Sequence, residues 1–511
     1  MTRPDFRTVI SGLLLVAGAT VFVVLFVRLW PFMTDDTFIS VRYAKNLVEG
    51  HGLVYNPGER VEGYTNFLWT LWLAIPLALG LPLAPFIKIS NMLLTLATAV
   101  LLARLGARTL LSRDPKSDEA PDSATGISLL AMLPAALFLA TPNVALGAAD
   151  GLETALFGFL LMLATWWFLS ESVERRVPRS GLALAALAMT RPDGALFAGW
   201  FVIAALLLRR PMGYVVRLAA VFGIVFGTYF AARALYYGHL LPNTFYAKGG
   251  GDALLLERGW AELKRFLVES GGWVWLLIPA ACIHRRTRGA AIVLCGAVVV
   301  RLLFQLWSGG PWMGRYRFLI PALPIVDLLI VAGIVQLIRG RVARVIALTA
   351  VCAVILAAGW AIYPRWEMFS LGYGSALRRA HMALGQAISA HTRSDAVMAM
   401  DDAGIGPLVA DRRNIDMLGL NDEHIAHLPG RYAEKYDVPY VLGRQPDLIV
   451  LLSRVERPSR DEDFNLVGHA ALFRDEEFQS RYRFVRSYMF DLDYYLLVYR
   501  RLDSLAVPAD F

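Results

Sequence analysis

Long apolar runs alternate with shorter polar segments through the first 363 residues of the chain. The first run, residues 9–30, contains 22 residues, and crossing a membrane takes about 20. It is longer than a signal-peptide core and lacks a small-residue cleavage site, so we expect it to remain as the first span. Similar runs predict spans at 86–111, 126–142, 152–170, 214–232, 266–283, 290–307, 318–338 and 345–363. The pattern predicts a mostly α polytopic membrane helix bundle.

Two apolar segments do not fit a simple span. Residues 67–79 form a run of only 13 residues, which predicts a short helix at the membrane surface or a re-entrant helix. Residues 181–208 carry the sequence T-R-P-D-G at 190–194. Because proline and glycine interrupt helices, this segment predicts a hairpin of two short helices. Counting that hairpin as two crossings gives about 11 spans.

The distribution of charge predicts the orientation of these spans. The first 363 residues hold 32 basic and 20 acidic residues, and many of the basic ones fall in short loops between apolar runs. This bias is typical of cytoplasmic loops, so the net charge of +8 is not evidence for nucleic-acid binding. Basic residues before the first span place the N-terminus in the cytoplasm. Eleven crossings then place the segment from residue 364 onward in the periplasm.

The last 148 residues read as a separate small domain. Residues 364–511 carry 18 basic and 22 acidic residues, unlike the basic region before them. A helical pattern covers 373–391, short strands are predicted at 396–401 and 447–453, and a strand pair at 482–500. We therefore predict a transmembrane catalytic domain over 1–363, with a first outer loop at 31–85, and a periplasmic α/β domain over 364–511.

Composition agrees with a membrane protein. The chain is 57% hydrophobic and 18% charged, with a mean hydropathy of +0.50, which is far from the composition of a soluble protein. The three cysteines lie in apolar runs and indicate neither a disulfide framework nor a zinc site. These features favour an inner-membrane, multi-pass location.

Acidic residues at the predicted outer ends of helices are the candidates for catalysis. Asp35 and Asp36 follow Thr34, which can cap a helix that begins with the two carboxylates. The helix dipole favours their ionised form, which suits a general base or a ligand for a hard metal such as a divalent cation. Glu153 takes a similar position in the next outward segment. The alternative for all three is a simple capping role.

Basic and polar residues in the other outward segments are the candidates for substrate binding. Cations there oppose the usual cytoplasmic bias, and arginine can bind a phosphate through two hydrogen bonds. For the arginine in the hairpin bend, the alternative is neutralisation by Asp193; for the other cations, it is snorkelling to lipid headgroups. The candidates for binding donor phosphate or substrate are Arg191, Lys248, Arg315, Arg317, Asn243, His51 and Tyr64.

Several motifs together resemble a known family. The first outer loop reads D-D-x-F-I-S-x-R-Y-A-x-N-L and then G-x-G-L-V-Y-N-P-G-E-R-V-E-G-Y-T-N. Further motifs are G-L-E-T at 151–154, L-A-M-T-R-P-D-G at 187–194, Y-Y-G-x-L-L-P-N-T-F-Y-A-K at 236–248 and G-G-x-W-M-G-R-Y-R-F at 309–318. In residues 364–511, which we call the tail, they are M-D-D-A-G-I-G-P at 400–407 and I-D-M-L-G-L-N-D at 415–422. Over nearly its whole length the chain resembles the mycobacterial terminal β-(1→2)-arabinofuranosyltransferase family, within the GT-C superfamily of polytopic glycosyltransferases.

The resemblance implies a fold, a reaction and a set of site residues. It implies a GT-C fold, and a glycosyltransferase that moves arabinofuranose or a related sugar from a polyprenyl-phosphate donor to a cell-envelope glycan or lipid acceptor on the periplasmic side. By position, Asp36 or Asp35 would be the catalytic carboxylate, and Glu153 the acidic residue of the second loop. His239 and Pro311 stand where the family pattern usually has aspartate. No cofactor follows from the resemblance, and a divalent metal remains open.

The residue chemistry is compatible with this reaction. A polyprenyl phosphate is a good leaving group, so transfer needs one base for the acceptor hydroxyl and cations for the departing phosphate. Direct displacement inverts the anomeric centre. The alternatives are a lipid-linked glycan ligase or polymerase with a diphosphate-linked donor, and a lipid or sugar transporter. A transporter is expected to show repeated halves, and none is visible in the sequence.

Overall fold

The computed structural model describes residues 6–109, 129–249, 253–311, 316–509 and 511. Contacts divide the chain into two compact units, each assembled from three segments. We call the first the apolar-helix unit, which comprises Met1–Trp30, Ile87–Tyr229 and Gly251–Phe369. The second is the sheet unit, which comprises Pro31–Phe86, Phe230–Gly250 and Ser370–Phe511.

Fifteen helices occupy the described part of the chain up to residue 377, together with 3₁₀ helices at Gly272–Cys282 and Ile320–Ala322. They are α1 (Phe6–Arg28), α2 (Asp35–Val48), α3 (Phe67–Ala78), α4 (Leu83–Thr109), α5 (Leu129–Ala140), α6 (Pro142–Ala149), α7 (Thr154–Ser170), α8 (Arg179–Thr190), α9 (Gly194–Leu207), α10 (Met212–Tyr237), α11 (Asn243–Lys248), α12 (Ala253–Glu269), α13 (Arg288–Ser308), α14 (Leu323–Leu337) and α15 (Arg341–Leu377).

The remaining elements belong to the sheet unit. A π-helical turn covers Arg378–Met382, and a 3₁₀ turn covers Asp461–Asp463. The helices and strands are α16 (Ala383–His391), β1 (Val397–Met400), α17 (Ile405–Ala410), β2 (Arg413–Asp416), α18 (Glu423–His427), α19 (Val438–Gly443), β3 (Leu448–Ser453), α20 (Val467–Arg474), α21 (Glu476–Arg481), β4 (Tyr482–Asp491) and β5 (Tyr494–Arg501).

Many of the described helices are suited to a membrane. Six are long and apolar enough to cross one, judged by length and composition, and the pair α5 and α6 makes a seventh if it counts as one span. Shorter apolar helices include α3, α7 and α9. The predicted short helix at 67–79 is confirmed as α3, which contains 12 residues. The total of about 11 spans stays a prediction.

Three predicted spans contain breaks, and one of these breaks was expected. Between α8 and α9, the chain leaves the helix at Arg191–Asp193, which confirms the predicted hairpin break. In the described part of the predicted span at 126–142, α5 ends at Ala140 and α6 follows at an angle of 58°, because Pro142 starts a new helix. The predicted span at 266–283 is not one continuous α-helix. There, α12 ends at Glu269 and a 3₁₀ helix follows, because Gly271 adopts a left-handed φ of 102°.

The sheet unit contains a five-stranded mixed sheet in the order β2-β1-β3-β5-β4. Strands β2, β1 and β3 are parallel, and β5 and β4 are antiparallel to their neighbours. Side chains alternate between two apolar cores, one per face. One core contains Ala399, Ile449, Leu451 and Leu497, and the other contains Met398, Met400, Val450 and Val498. The predicted small C-terminal α/β domain is confirmed, although β2 was not predicted.

The sheet unit extends beyond the C-terminal tail. It includes the first outer loop and residues 230–250, and a further apolar cluster combines residues from all three segments. This cluster contains Ile39, Tyr43, Tyr55, Tyr64, Tyr237, Ala247, Ala403, Leu420 and Ala426. Helix α15 runs through residue 363 without a break. The division of the chain at residue 363 stays a prediction.

Candidate functional site

Asp35 is held in place by the backbone of the tail. It begins α2, and its side chain is buried. The two carboxylate oxygens accept the backbone N–H groups of Gly404 (3.1 Å) and Ile405 (2.9 Å), at the start of α17. A Cβ atom at position 404 would overlap the Asp35 carboxylate, so this approach requires glycine. Asp35 therefore joins the first outer loop to the tail.

A group of titratable side chains surrounds this contact. Burial raises the pKa of Asp35 to about 6; the charge of His381 opposes the rise and that of Asp402 adds to it. Asp402 contacts Nε2 of His381 at 2.8 Å and accepts the Tyr494 hydroxyl at 2.9 Å. Burial alone would raise the pKa of Asp402, but the charge and hydrogen bond of His381 and the Tyr494 bond lower it overall. The pKa values of the neighbouring Asp35 and Asp402 carboxyls are therefore shifted in opposite directions.

Asp36 has a different environment from its neighbour. It lies in the first turn of α2 and is partly exposed. Its carboxylate makes no hydrogen bond or ion pair with any residue in the described ranges. A carboxylate that is accessible and not committed to a protein partner is able to accept a proton from a bound hydroxyl. Of the two aspartates, Asp36 has the environment of a base.

Asn243 and Tyr64, two other predicted site residues of the sheet unit, are buried and contact other residues of that unit. The Asn243 side-chain amide donates to the backbone carbonyls of Gly419 (2.9 Å), Leu420 (3.0 Å) and Asp422 (3.2 Å) and is buried. It therefore fastens α11 to the loop after β2. Tyr64 is buried against Tyr43, with ring centroids 4.6 Å apart.

The remaining two predicted residues of this unit lie at its surface. His51 and Lys248 are both exposed. The Lys248 ammonium lies 6.0 Å from the centre of the Tyr432 ring. Lys248 is therefore an exposed cation of the sheet unit.

The apolar-helix unit contains a buried network of charges around Asp193. Glu153 precedes α7 and lies 3.1 Å from a guanidinium nitrogen of Arg191. Arg191 also contacts Asp193 at 2.9 Å, and Asp193 in turn pairs with Arg301. Arg317 lies 4.0 Å from Glu153 and retains 23% of its side-chain exposure. Arg315 was also predicted as a site residue, but it lies outside the described residues.

The ion pairs of this network make Glu153 and Arg191 less available to a ligand. Each is already engaged by an oppositely charged side chain, which makes Glu153 a weaker candidate for a base than Asp36. The Asp193 partner of Arg191 was anticipated as an alternative, whereas Arg301 was missed. The sequence does contain a signal for Arg301, because this arginine lies within the apolar run 290–307. A charge in such a run is costly and requires a partner.

A second buried pair was also missed by sequence reasoning. Glu62 and Arg233 are almost fully buried and form an ion pair in the sheet unit. Burial raises the pKa of Glu62 despite the opposing effect of Arg233. In the described part of the chain, no three His, Cys, Asp or Glu side chains are grouped as they would be to hold a metal ion.

Comparison with known sequences supports the family resemblance. The tail matches a domain of unknown function, DUF8728, over residues 371–501. A terminal β-(1→2)-arabinofuranosyltransferase from Mycobacterium tuberculosis is 30% identical over 260 residues, which is 49% of this chain and 40% of that protein. The protein of the same name from Corynebacterium glutamicum is 28% identical over 355 residues, which is 61% of this chain and 49% of that protein. The chain thus spans half or less of the length of these curated relatives.

Comparison with solved structures establishes the fold. ArnT from Cupriavidus metallidurans, in a crystal structure with bound undecaprenyl phosphate, aligns with a TM-score of 0.60 and 13% identity over 98% of this chain and 99% of that one. The apo structure of the same protein gives a TM-score of 0.59 and 14% identity over 97% and 99%. The chain therefore has the predicted GT-C fold and is a multi-pass membrane protein. The resemblance to the arabinofuranosyltransferases is also confirmed.

Proposed function

We propose that this protein is a membrane glycosyltransferase that moves arabinofuranose or a related sugar from a polyprenyl-phosphate donor to a cell-envelope glycan or lipid. The sugar is suggested by the names of the curated relatives, and the lipid donor by the ligand of the ArnT crystal structure. The single observation that carries the proposal is the contrast between Asp36, which is partly exposed and uncommitted among the described residues, and Asp35, which is bound by backbone N–H groups.

Asp36 is the base in this mechanism. An acceptor hydroxyl oxygen attacks the anomeric carbon, and its proton passes to the Asp36 carboxylate. The bond between the anomeric carbon and the phosphate oxygen breaks, and the polyprenyl phosphate leaves with the electron pair. Attack from the side opposite the leaving group inverts the configuration. A positioned carboxylate of this kind typically contributes about 10²–10⁴-fold to the rate.

Other side chains position the base and bind charge. Asp35 is a positioning residue, because its two N–H bonds fix the first turn of α2. Lys248 is exposed and suited to a phosphate oxygen. In the apolar-helix unit, Arg317 is the described arginine with the weakest ion pair to Glu153, at 4.0 Å against 3.1 Å for Arg191. We assign Arg317 rather than Arg191 as the candidate anion-binding arginine of that unit.

The basic residues in the short loops support a location in the inner membrane with the reaction on the periplasmic side. A lipid donor that remains in the bilayer fits this arrangement, because only its sugar and phosphate need to reach the polar residues at the membrane surface. Labelling single cysteines introduced at His51 and Arg175 in intact cells tests the orientation. We expect a membrane-impermeant reagent to modify the first and not the second; the opposite pattern contradicts the periplasmic assignment.

Product analysis tests the proposed reaction. Purified protein is incubated with polyprenyl-phosphate esters of arabinofuranose, mannose and glucose and an arabinofuranosyl oligosaccharide as acceptor. We expect transfer of arabinofuranose with inversion, measured by mass spectrometry and NMR of the anomeric proton. The Asp36→Asn variant should lose transfer, whereas Asp493→Asn, which changes an exposed residue of the β4–β5 turn, should retain it. Retention of configuration, or use of only diphosphate-linked donors, contradicts the proposal.

A further inference from the structure

His381 is a buried histidine with no role in the mechanism above. It lies in the π-helical turn Arg378–Met382 of the sheet unit and is only 3% exposed. Turns of this kind are rare and occur frequently at functional sites. Its Nε2 atom lies 2.8 Å from a carboxylate oxygen of Asp402, and its ring packs edge-on against Phe490, with the ring centroids 5.1 Å apart. The imidazole is therefore held both by packing and by a charged partner.

Asp402 connects His381 to the groups that bind Asp35. The Asp402 oxygen that contacts His381 also accepts the Tyr494 hydroxyl at 2.9 Å. The two backbone N–H groups that bind the Asp35 carboxylate, at 3.1 and 2.9 Å, follow Asp402 in the chain by two and three residues. A side chain that fixes Asp402 therefore also restricts these N–H groups and, through them, the start of α2.

Charge links the same three side chains. Burial raises the pKa of Asp35 to about 6, the charge of His381 opposes this rise, and the charge of Asp402 adds to it. Burial alone would lower the pKa of His381, but the charge and hydrogen bond of Asp402 and the charge of Asp35 raise it overall. A protonated His381 therefore offsets the repulsion between two buried carboxylates.

Other ionisable groups lie around His381, Asp35 and Asp402. Arg378 and Arg379, in the same turn as His381, are exposed. The groups on other elements are Asp36 on α2, Tyr373 on α15, Tyr494 on β5 and His469 on α20. The charge of His381 nevertheless has the largest lowering effect on the pKa of Asp35. The ionised form of Asp35 thus depends on this histidine more than on its other neighbours.

We propose that His381 is a positioning residue for the base. Through Asp402 it holds the loop whose N–H groups bind Asp35, and its positive charge stabilises Asp35 in the ionised form. Asp36, the next residue in the same helical turn, then keeps its place beside the acceptor hydroxyl. This inference rests on the proposed function, in which Asp36 is the base, and it adds a residue of the tail to that mechanism.

Steady-state kinetics of the full-length protein tests the positioning role. Transfer is measured per folded molecule for the wild type, His381→Ala and His381→Gln, and for the control His391→Ala, which changes an exposed histidine of α16. We expect kcat of His381→Ala to fall by up to about 10²-fold, because the base is displaced, while KM stays unchanged, because the substrates bind as before. Glutamine can still donate to Asp402, so His381→Gln should recover part of kcat. The control should match the wild type.

Several kinetic outcomes decide against a positioning role. A wild-type kcat in folded His381→Ala overturns the inference, and so does a change confined to KM. Failure of His381→Gln to fold overturns it as well, because His381 would then be required for folding rather than for the rate.

A measurement without substrate separates this inference from the proposed function. The contribution of Asp35 to stability is the difference in thermal unfolding between proteins with and without Asp35→Asn. In the wild type this contribution should fall as the pH rises to about 6. In the His381→Gln background, the loss of a nearby opposite charge should extend the fall upward by about one pH unit. An unmoved range overturns the inference, whereas an extended range in a protein that transfers no sugar contradicts only the proposed function.

Discussion

The starts of α2 and α7 place acidic residues in similar sequence settings but treat them differently. Glu153, before α7, is buried and paired with Arg191, which is part of a wider network of arginines. Asp35, at the start of α2, is buried and bound by backbone N–H groups, and the next residue is left partly exposed. At α2, the bound carboxylate of Asp35 fixes the position of the first turn, and the neighbouring carboxylate of Asp36 is the reactive one in the proposed mechanism. At α7, the single carboxylate is that of Glu153, and it already forms ion pairs with Arg191 and Arg317.

The largest predicted effect comes from breaking the network in the apolar-helix unit. In Arg301→Gln, Asp193 loses one of its two charged partners while it stays buried. We expect the free energy of unfolding to fall by about 3–5 kcal/mol, as for a broken buried ion pair. Denaturant unfolding in detergent measures it. The matched control is Arg285→Gln, which changes an exposed arginine and should have almost no effect. Equal stability of the two variants contradicts the role given to the network.

A smaller loss of stability is predicted at Asp35, whose partners are backbone N–H groups and not arginine side chains. Asp35→Asn retains the shape of the side chain but presents an amide to one of the N–H groups of Gly404 and Ile405. We expect a loss of about 1–3 kcal/mol, as for a hydrogen bond to a charged group. Asp411→Asn removes an exposed ion pair with Lys45 and should cost less than about 1 kcal/mol. A loss in Asp35→Asn no larger than in this control would show that the two N–H bonds do not hold α2.

The buried position of Asp35 also predicts a dependence of stability on pH. Burial raises its pKa from 3.8 to about 6, so the folded protein retains a proton that the unfolded chain releases. Stability should therefore fall as the pH rises from about 4 to about 6, and this contribution should be constant above that range. Thermal unfolding of the wild type and Asp35→Asn across this range measures it. The difference in slope should disappear above pH 6; parallel curves throughout contradict the raised pKa.

The smallest effect on stability is expected at Lys248, which is exposed beside the Tyr432 ring. Lys248→Gln should change the free energy of unfolding by less than about 0.5 kcal/mol. It should nevertheless raise KM for a polyprenyl-phosphate donor by about tenfold, as for the loss of a charge-assisted hydrogen bond. The control is Lys264→Gln, which changes an exposed lysine 5.6 Å from the Trp260 ring. An unchanged KM in Lys248→Gln removes this residue from the phosphate site.

Local patterns were sufficient for much of the fold. The apolar run that became β3 and the hairpin of β4 and β5 were predicted close to their observed bounds. Strand β2 was missed because it has only four residues, three of them polar, and is defined by its pairing with β1. The break before Gly272 was missed because the apolar run was followed through Gly271 and Gly272, although glycine can adopt the left-handed φ that ends a helix.

The candidate site was less accessible to sequence reasoning, because its contacts join distant positions. The partners of Asp35 lie 369 and 370 residues away, and Arg301 reaches Asp193 across 108 residues. No local spacing distinguishes Asp35 from Asp36, since both occupy the first turn of one helix. The motif around Gly404 contains the glycine that this contact requires. The reason for that glycine is visible only in the structure, where the Asp35 carboxylate approaches it closely.

The most direct test of the central claim is the transfer rate of Asp36→Asn, measured at equal amounts of folded protein with an arabinofuranosyl polyprenyl-phosphate donor. We predict a fall in kcat of about 10²–10⁴-fold, with a free energy of unfolding within about 0.5 kcal/mol of the wild type. Asp35→Asn should show the reverse balance, with a larger loss of stability and a smaller loss of kcat per folded molecule. A wild-type kcat in folded Asp36→Asn contradicts the assignment of Asp36 as the base.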